Sequence, residues 1–345
     1  MTRPDLIVMG AGVTGLAIAF AAARRGVRVR VVERDRIGAG ASGGVVGALM
    51  PHAPGGWTPA KAFQLESLLM AEVWWAKIAA ASGLPTGYAR TGRLQPLADD
   101  TAIAAARARV PEAAILWQGR ALWQVIPAAP GWSPASPTGW LIHDTLSARL
   151  NPMLALKSLA GAITAHGGRI ETGEDPPQGA PVVWATGVAG LAALTLPSGR
   201  PAGVPVKGQA ALLAFDPGPD APQLYADSLH IVPHADGTVA VGSTSETTFE
   251  DPAATDALLD AVIARARLAC PALAAAPVIA RWAGLRPRAT TRQPILGPWP
   301  GRPGHFVANG GFKIGFGIAP LVAEVMADLI LTGQDRIPDT FRPLR

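Results

Sequence analysis

Three features of the 345-residue sequence predict an α/β fold with two kinds of sheet. The first is a strand, glycine turn, helix and strand over residues 6–33, the frame of a parallel nucleotide-binding sheet. The second is a mid-chain apolar strand that ends in small residues, Val182-Val183-Trp184-Ala185-Thr186-Gly187. The third is a series of strands between residues 205 and 285, followed by a second glycine loop that opens a helix. The expected architecture is a Rossmann-like nucleotide-binding domain, discontinuous in sequence, with an inserted α+β domain built on an antiparallel sheet.

The opening frame carries the chemistry most directly. Leu6-Ile7-Val8-Met9 runs straight into Gly10-Ala11-Gly12-Val13-Thr14-Gly15, and a small-residue helix follows to Arg25. In this pattern Gly10 permits the tight turn, Gly12 lets the backbone approach a pyrophosphate, and Gly15 lets helix and strand pack closely. The helix N-terminus adds free N–H groups and a partial positive charge. Glu33, which ends the strand from Val27, stands where an acid accepts hydrogen bonds from adenosine ribose hydroxyls. The motif does not choose between FAD and NAD. Arg34 and Arg36 are open to two readings, a grip on a 2′-phosphate or plain solvation.

Whole-chain properties set the bounds. The length favours two domains, and 49% hydrophobic with 16% charged residues is globular composition. A net charge of +5 with a pI near 9.9, and no Lys/Arg block, does not point to a nucleic-acid partner. The single cysteine, Cys270, excludes intramolecular disulfides and multi-cysteine metal sites, and no metal centre is expected. Residues 6–23 are apolar enough to imitate a membrane span or signal peptide, but the glycine spacing and Thr14 make the nucleotide fold the better explanation. No membrane association is expected, and the cytoplasm is the default location.

The chain then reads in order. Residues 37–52, Ile37 to His52, are too rich in glycine for a helix or strand core, so this backbone turns sharply or lies close to something flat. Residues 62–81 have helical periodicity, with Trp74 and Trp75 expected against the sheet. Residues 88–97 read as a strand, 100–108 as a helix, and the Pro/Ala/Ser-rich stretch 127–137 as a crossing between domains. Gly139 to Asp144 precedes a helix over 151–166, and a strand at 169–172 leads to the strand that ends at Gly187. Strands follow at 205–215, 229–233 and 239–243, the last two joined through Asp236-Gly237, a good hairpin turn. A helix at 253–269, a strand at 279–285 and the loop Gly310-Gly311-Phe312-Lys313-Ile314-Gly315-Phe316-Gly317 before a helix at 318–331 complete the reading. Two helix N-termini, after Gly12 and after Gly315, suit one elongated dinucleotide. The expected partition is 1–86, 138–204 and 288–345 for the nucleotide-binding domain, with 87–137 and 205–287 for the substrate domain.

With these motifs in view, the sequence resembles the D-amino-acid oxidase superfamily of FAD amine oxidoreductases, with its nearest likeness to glycine oxidase and the related enzymes of thiamine biosynthesis. The likeness covers essentially the whole chain. It is carried by Val8 to Gly15 with Glu33, Gly40-Ala41-Ser42-Gly43 through Gly47-Ala48, Ala185-Thr186-Gly187, Pro205-Val206-Lys207-Gly208-Gln209, His230-Ile231-Val232-Pro233, Trp282-Ala283-Gly284-Leu285-Arg286-Pro287 and Pro294-Ile295-Leu296-Gly297. The resemblance implies noncovalent FAD. The residues expected to hold it are Gly10, Gly12, Val13, Thr14 and Gly15 in the first turn, then Glu33 and Arg34. Ala41, Ser42, Gly47 and Ala48 follow in the glycine loop, with Ala185, Thr186 and Gly187 in mid-chain and Gly311, Lys313, Ile314 and Gly315 before the last helix.

The resemblance also implies that Arg286 grips the substrate carboxylate, a role that suits a planar guanidinium. Carboxylate fixation would set Cα–H over flavin N5 for hydride transfer. Lys313, in the last glycine loop, would lie near the pyrimidine end of the flavin or touch substrate. His230 falls where glycine oxidase has a substrate-holding tyrosine, which leaves a carboxylate ligand, a base or a wall residue as its roles. Cys270 does not match the covalent-flavin cysteine of some relatives and reads as a buried thiol. His52 reads as a loop residue near the flavin or as structural. Of Arg90 and Arg93, three apart on a strand, at most one faces the site, and the ten tryptophans read as core and domain interface.

These readings imply oxidation of the C–N bond of glycine, an N-substituted glycine or a small D-amino acid, to an imine that hydrolyses to an oxo acid. Oxygen as acceptor would give H2O2, and another acceptor would make the enzyme a dehydrogenase. A homo-oligomer is compatible. An RNA-directed alternative comes from likeness of Gly40 to Gly43, Gly47-Ala48 and Thr138 to Leu141 to the FAD domain that trims carboxymethylaminomethyl groups on tRNA wobble uridine. A third alternative is an NAD(P)-linked or non-enzymatic dinucleotide binder.

Overall fold

The computed structural model describes residues 3–176, 178–196 and 198–343. Its first sheet has six strands in the order Ile295–Pro298, His305–Asn309, Val182–Trp184, Leu6–Met9, Val29–Glu33 and Arg169–Thr172. Neighbours run parallel except the edge pair Ile295–Pro298 and His305–Asn309. Leu6–Met9 lies at the centre, with Met9 opposite Val32 on one side and Trp184 on the other. All four of its residues are buried, which is why it reads as an unbroken apolar run and not as an alternation.

The helix Val13–Ala23 is buried at ten of its eleven residues and packs against the closing helix Gly315–Thr332. Charge ties the far ends of the two together: Arg24 and Arg25 reach Glu324 at 2.6 and 2.9 Å, and Arg25 reaches Asp328 at 2.8 Å. Trp74 Nε1 donates to Glu324 at 3.3 Å. Trp74 and Trp75 thus pack among helices, against Phe20 and the closing helix, and not on the sheet as expected. Among the described residues, Gly315–Thr332 is the one helix long and apolar enough to cross a membrane, and it is a core helix here, with most of its surface covered.

The second sheet has eight strands, in the order Val278–Ala289, Gly203–Ala214, Thr238–Gly242, Leu229–Pro233, Gln223–Ala226, Arg93–Pro96, Trp140–Asp144 and Trp123–Pro127. Pairing is antiparallel throughout except between Gln223–Ala226 and Arg93–Pro96. The helix Ala257–Ala269 and Cys270 build a core on this sheet with Leu213, Ile231 and Val241.

Several expectations are corrected. Strand Trp140–Asp144, assigned by sequence to the nucleotide-binding segment 138–204, pairs with Arg93–Pro96 and Trp123–Pro127 in the eight-stranded sheet. The stretch 127–137 therefore links two antiparallel neighbours in one sheet and is not a crossing between domains. Its Trp132 stacks on Phe215 and donates to the Pro222 carbonyl at 2.8 Å. The long strands Gly203–Ala214 and Val278–Ala289 each extend two residues past the expected boundaries at 205 and 287. The helix expected at 100–108 runs Asp100–Leu116 and accommodates Pro111. The strand expected at 88–97 shortens to Arg93–Pro96, with only an isolated bridge at Ala89. Helix Gly187–Ala193 and strand Gln223–Ala226 were not anticipated. The latter turns back through Asp227 and Ser228, both at positive φ (49° and 60°), without the Asn-Gly or Asp-Gly pair that marks such a hairpin in sequence.

Candidate active site

A cavity of about 820 Å³ runs from the carboxyl ends of the parallel strands to the face of the antiparallel sheet. That is the upper part of the range for ligand sites and follows the rule that open α/β sheets bind at strand ends. Of the residues expected to hold a dinucleotide, Gly10, Gly12, Val13, Thr14, Glu33, Arg34, Ala41, Ser42, Gly47, Ala48, Ala185, Thr186, Gly187, Gly311, Lys313 and Gly315 line it. Arg286 and His230 line it too. Two expected residues stand apart. Gly15 is absent from the wall because it packs against the Gly10 carbonyl, and Ile314 lines only a smaller adjoining chamber.

The first turn is fixed by its own sequence. Gly10 has φ +102°, and a Cβ there would meet the Ala185 carbonyl oxygen at 2.6 Å. Glu33 holds the turn from the other side: Oε2 accepts from Ala11 N at 2.7 Å, and Oε1 accepts from Asp35 N at 3.1 Å. A carboxylate has about four acceptor positions, so ribose hydroxyls remain within its capacity. Ser42 Oγ accepts from Val13 N at 3.0 Å, joining the glycine loop to the helix N-terminus. Arg34 lines the cavity while Arg36 is exposed outside it.

At the other end Arg286 is only 9% exposed. Its Nη1 donates to the Thr244 carbonyl at 3.1 Å and its Nη2 to Ser243 Oγ at 2.8 Å. A guanidinium has five N–H donors, so three stay free for a ligand. The facing Gly208 makes room, since a Cβ there would overlap the guanidinium. Behind it, Thr244 Oγ1 donates to Glu246, and Gln209 Nε2 donates to Glu246 at 3.1 Å and to Asp256 at 2.9 Å. Buried Lys207 stands 3.8 Å from Glu246 and 3.5 Å from Asp256. This network pins residues 243–246, whose oxygens aim Arg286. Burial brings the Arg286 pKa down to about 10, with Glu246 opposing the shift, so it is a cation at neutral pH.

Lys313 is exposed, yet the cavity wall and then Arg286 lower its pKa. His230 pairs across the hairpin with Tyr225, ring centroids 5.0 Å apart, and its Nδ1 has no partner among the described residues. Desolvation first, then Arg93, Lys313 and Arg286, push its pKa down to about 4. His230 is therefore neutral at neutral pH. Arg93 is buried against Asp144 at 2.9 Å and lies 5.7 Å from the Tyr225 ring centre, while Arg90 donates away to the Thr145 and Arg120 carbonyls. Of that pair only Arg93 backs the site. His52 lines neither chamber, and Cys270 is a fully buried thiol whose pKa burial pushes up to about 11.

The depressed His230 pKa has a consequence for stability. The folded state refuses a proton that the unfolded chain accepts below its ordinary value near 6.5. Stability is thus fully present above pH 6.5 and falls as pH drops towards 4, by about 3 kcal/mol over that window. Urea melts of the holoprotein at pH 7 and pH 4.5 are expected to show this loss, and His230→Gln to remove most of it. Equal slopes in the two proteins would refute the assignment.

Sequence reasoning missed Ser243, Gln64, Tyr225 and Asn309, whose Nδ2 donates to the Gly187 carbonyl at 2.8 Å. No motif marks them: Ser243 and Asn309 act through partners distant in sequence, Gln64 through the Met50 carbonyl, and Tyr225 across a hairpin that carries no turn signal.

Comparison with known proteins agrees with this geometry. The DAO family, described as FAD dependent oxidoreductase, matches residues 5–329. The chain belongs to that family. The DAO-family chain is 28% identical over 354 residues to the bifunctional protein ThiO/ThiG of Nostoc sp., covering 96% of this chain and 53% of that one. It thus spans about half the length of this bifunctional relative. It is 24% identical over 373 residues to the glycine oxidase of Geobacillus kaustophilus, covering 95% of this chain and 93% of that one. The crystal structure of glycine oxidase from Geobacillus kaustophilus superposes with a TM-score of 0.84 at 22% identity, covering 100% and 99% of the chains. Iminodiacetate oxidase from Chelativorans sp. gives 0.81 at 21%, covering 98% and 99%. FAD is the cofactor of the family, and the residues present fit it. Two helix N-termini open on one elongated cavity, and added Cβ atoms at Gly10 and Gly12 would crowd the turn that approaches it.

Proposed function

We propose that this DAO-family chain oxidises the C–N bond of a small amine or amino acid that carries a carboxylate: glycine, an N-substituted glycine or a small D-amino acid. The observation that carries the proposal is Arg286, buried, charged and held by two oxygens while its remaining donors border the cavity. Arg286 is the carboxylate grip. Lys313 adds a second positive charge on the same wall, while the charge of Arg93 is matched by Asp144. His230, uncharged at neutral pH, serves as a wall and hydrogen-bonding residue. A base is not required of it if the amine binds neutral.

The glycine loops at residues 10–15, 40–48, 185–187 and 311–315 hold FAD noncovalently. Bound there, FAD would supply the redox chemistry, accepting a hydride from the substrate Cα with O2 as the final acceptor and H2O2 as product. The imine released hydrolyses to an oxo acid. The substrate is bound by the eight-stranded sheet, in a substrate domain separate from the parallel one, and the cytoplasm is the working compartment. The names of the relatives, glycine oxidase and iminodiacetate oxidase, support a glycine-type amine.

Anaerobic mixing of the yellow holoprotein with glycine, sarcosine and D- and L-amino acids tests the proposal. Bleaching by one class is expected, and re-admitted air restores colour rapidly only if oxygen is the acceptor. No bleaching by any member would refute the small-amine reading and make modified tRNA the next substrate to try.

A further inference from the structure

Beside His230, Ser243 and Lys313, which border both spaces, a second chamber of about 180 Å³ adjoins the main cavity. Met50, Gln64 and Tyr225 form part of its wall. At ~30 Å³ per water-sized atom group, this chamber takes on the order of six non-hydrogen atoms. Glycine held at Arg286 would not fill it.

Gln64 gives the chamber its chemistry. It lies on the helix Pro59–Ser82 and is 3% exposed. Its Nε2 donates to the Met50 carbonyl at 2.8 Å, which fixes the amide orientation. Oε1 is buried with no partner among the described residues, on a side chain that lines the chamber. A buried amide oxygen without a donor is costly, so a ligand that supplies the donor is favoured over an apolar one of equal shape. A cationic tip is opposed by Lys313, which borders the chamber, and by Arg286 in the adjoining cavity. An anionic tip would face the Gln64 oxygen. A neutral donor satisfies both conditions.

We infer that the second chamber is a specificity pocket in which Gln64 Oε1 accepts a hydrogen bond from a neutral hydroxyl or carboxamide at the tip of the substrate's substituent. The preferred substrate is then a substituted glycine unit whose substituent has up to about six non-hydrogen atoms and ends in such a donor. This rests on the amine-oxidising reading, with Arg286 as the carboxylate grip.

Binding to the holoprotein tests it without turnover, using carboxylates in which an ether oxygen replaces the amine. Calorimetric titration with (2-hydroxyethoxy)acetate and propoxyacetate compares a hydroxyl tip with a methyl tip of the same length. The hydroxyl compound is expected to bind about tenfold tighter, the factor one hydrogen bond to a buried acceptor gives. Gln64→Met should erase the preference, and Gln64→Glu, which keeps an acceptor, should retain a preference for the hydroxyl. Equal affinities in the unmodified protein, or a preference that survives Gln64→Met, would overturn the inference. Failure of the amine-oxidising reading is a separate result, in which the matching amines leave the cofactor unbleached although the ether carboxylates discriminate as expected.

Discussion

Arg286→Ala is expected to weaken binding of a carboxylate-bearing substrate by two to three orders of magnitude while FAD stays bound. A bidentate, charge-assisted pair is worth about 3–4 kcal/mol when one partner is removed from a buried site, which converts to that factor. Burial strengthens the expectation, because the guanidinium is 9% exposed and desolvated enough to lower its own pKa. Arg286→Lys should recover little. Lysine keeps the charge, but a single ammonium cannot hold Ser243 Oγ and the Thr244 carbonyl while presenting a planar fork to the ligand. The readout is the concentration dependence of flavin bleaching, with visible absorbance per protein as the check on cofactor content. A change below fivefold would remove Arg286 from the substrate site.

The second large effect is on cofactor retention. Gly15→Val should give a protein that purifies with less than about a tenth of its FAD, because a Cβ at residue 15 overlaps the Gly10 carbonyl oxygen and also meets the Ala185 side chain. Overpacking of this kind costs about 1–3 kcal/mol or more, and here it acts on the turn that faces the ligand. The helix can relieve the overlap only by moving off the sheet, which carries its N-terminal N–H groups away from the phosphate position. Visible absorbance relative to protein absorbance after gel filtration measures the outcome. Full FAD occupancy in the variant would show that the contact between Gly10 and Gly15 does not position the cofactor.

These two residues illustrate what the sequence made legible. Gly10, Gly12, Gly15 and Glu33 could be read because their constraint is local: a turn, a helix start and a strand end within one short segment. Arg286 was reached through the resemblance of Trp282 to Pro287, since an arginine on a strand is otherwise mute. Its supports, Ser243 and Thr244, lie across the sheet and carry no pattern of their own. Strand Trp140–Asp144 was placed in the wrong segment for a related reason. Alternation identifies a strand but not its neighbours, and here the neighbours are Arg93–Pro96 and Trp123–Pro127. Gln64 was silent because one amide on an apolar helix face resembles any other, and its meaning comes from the Met50 carbonyl that turns it.

The order of the parallel sheet carries one more consequence. Strand Leu6–Met9 is made first on the ribosome, yet its neighbour Val182–Trp184 pairs in turn with His305–Asn309. The helix that covers them, Gly315–Thr332, is clamped to Arg24 and Arg25 by Glu324 and Asp328. The eight-stranded sheet can assemble once residue 289 has emerged, since all its strands are then available. The parallel sheet cannot, because its closing strand and helix are synthesised last and its contacts span almost the whole chain. Cofactor loading therefore waits until the helix Gly315–Thr332 has emerged, and a nascent chain stalled before residue 305 holds half a nucleotide cradle with nothing to close it.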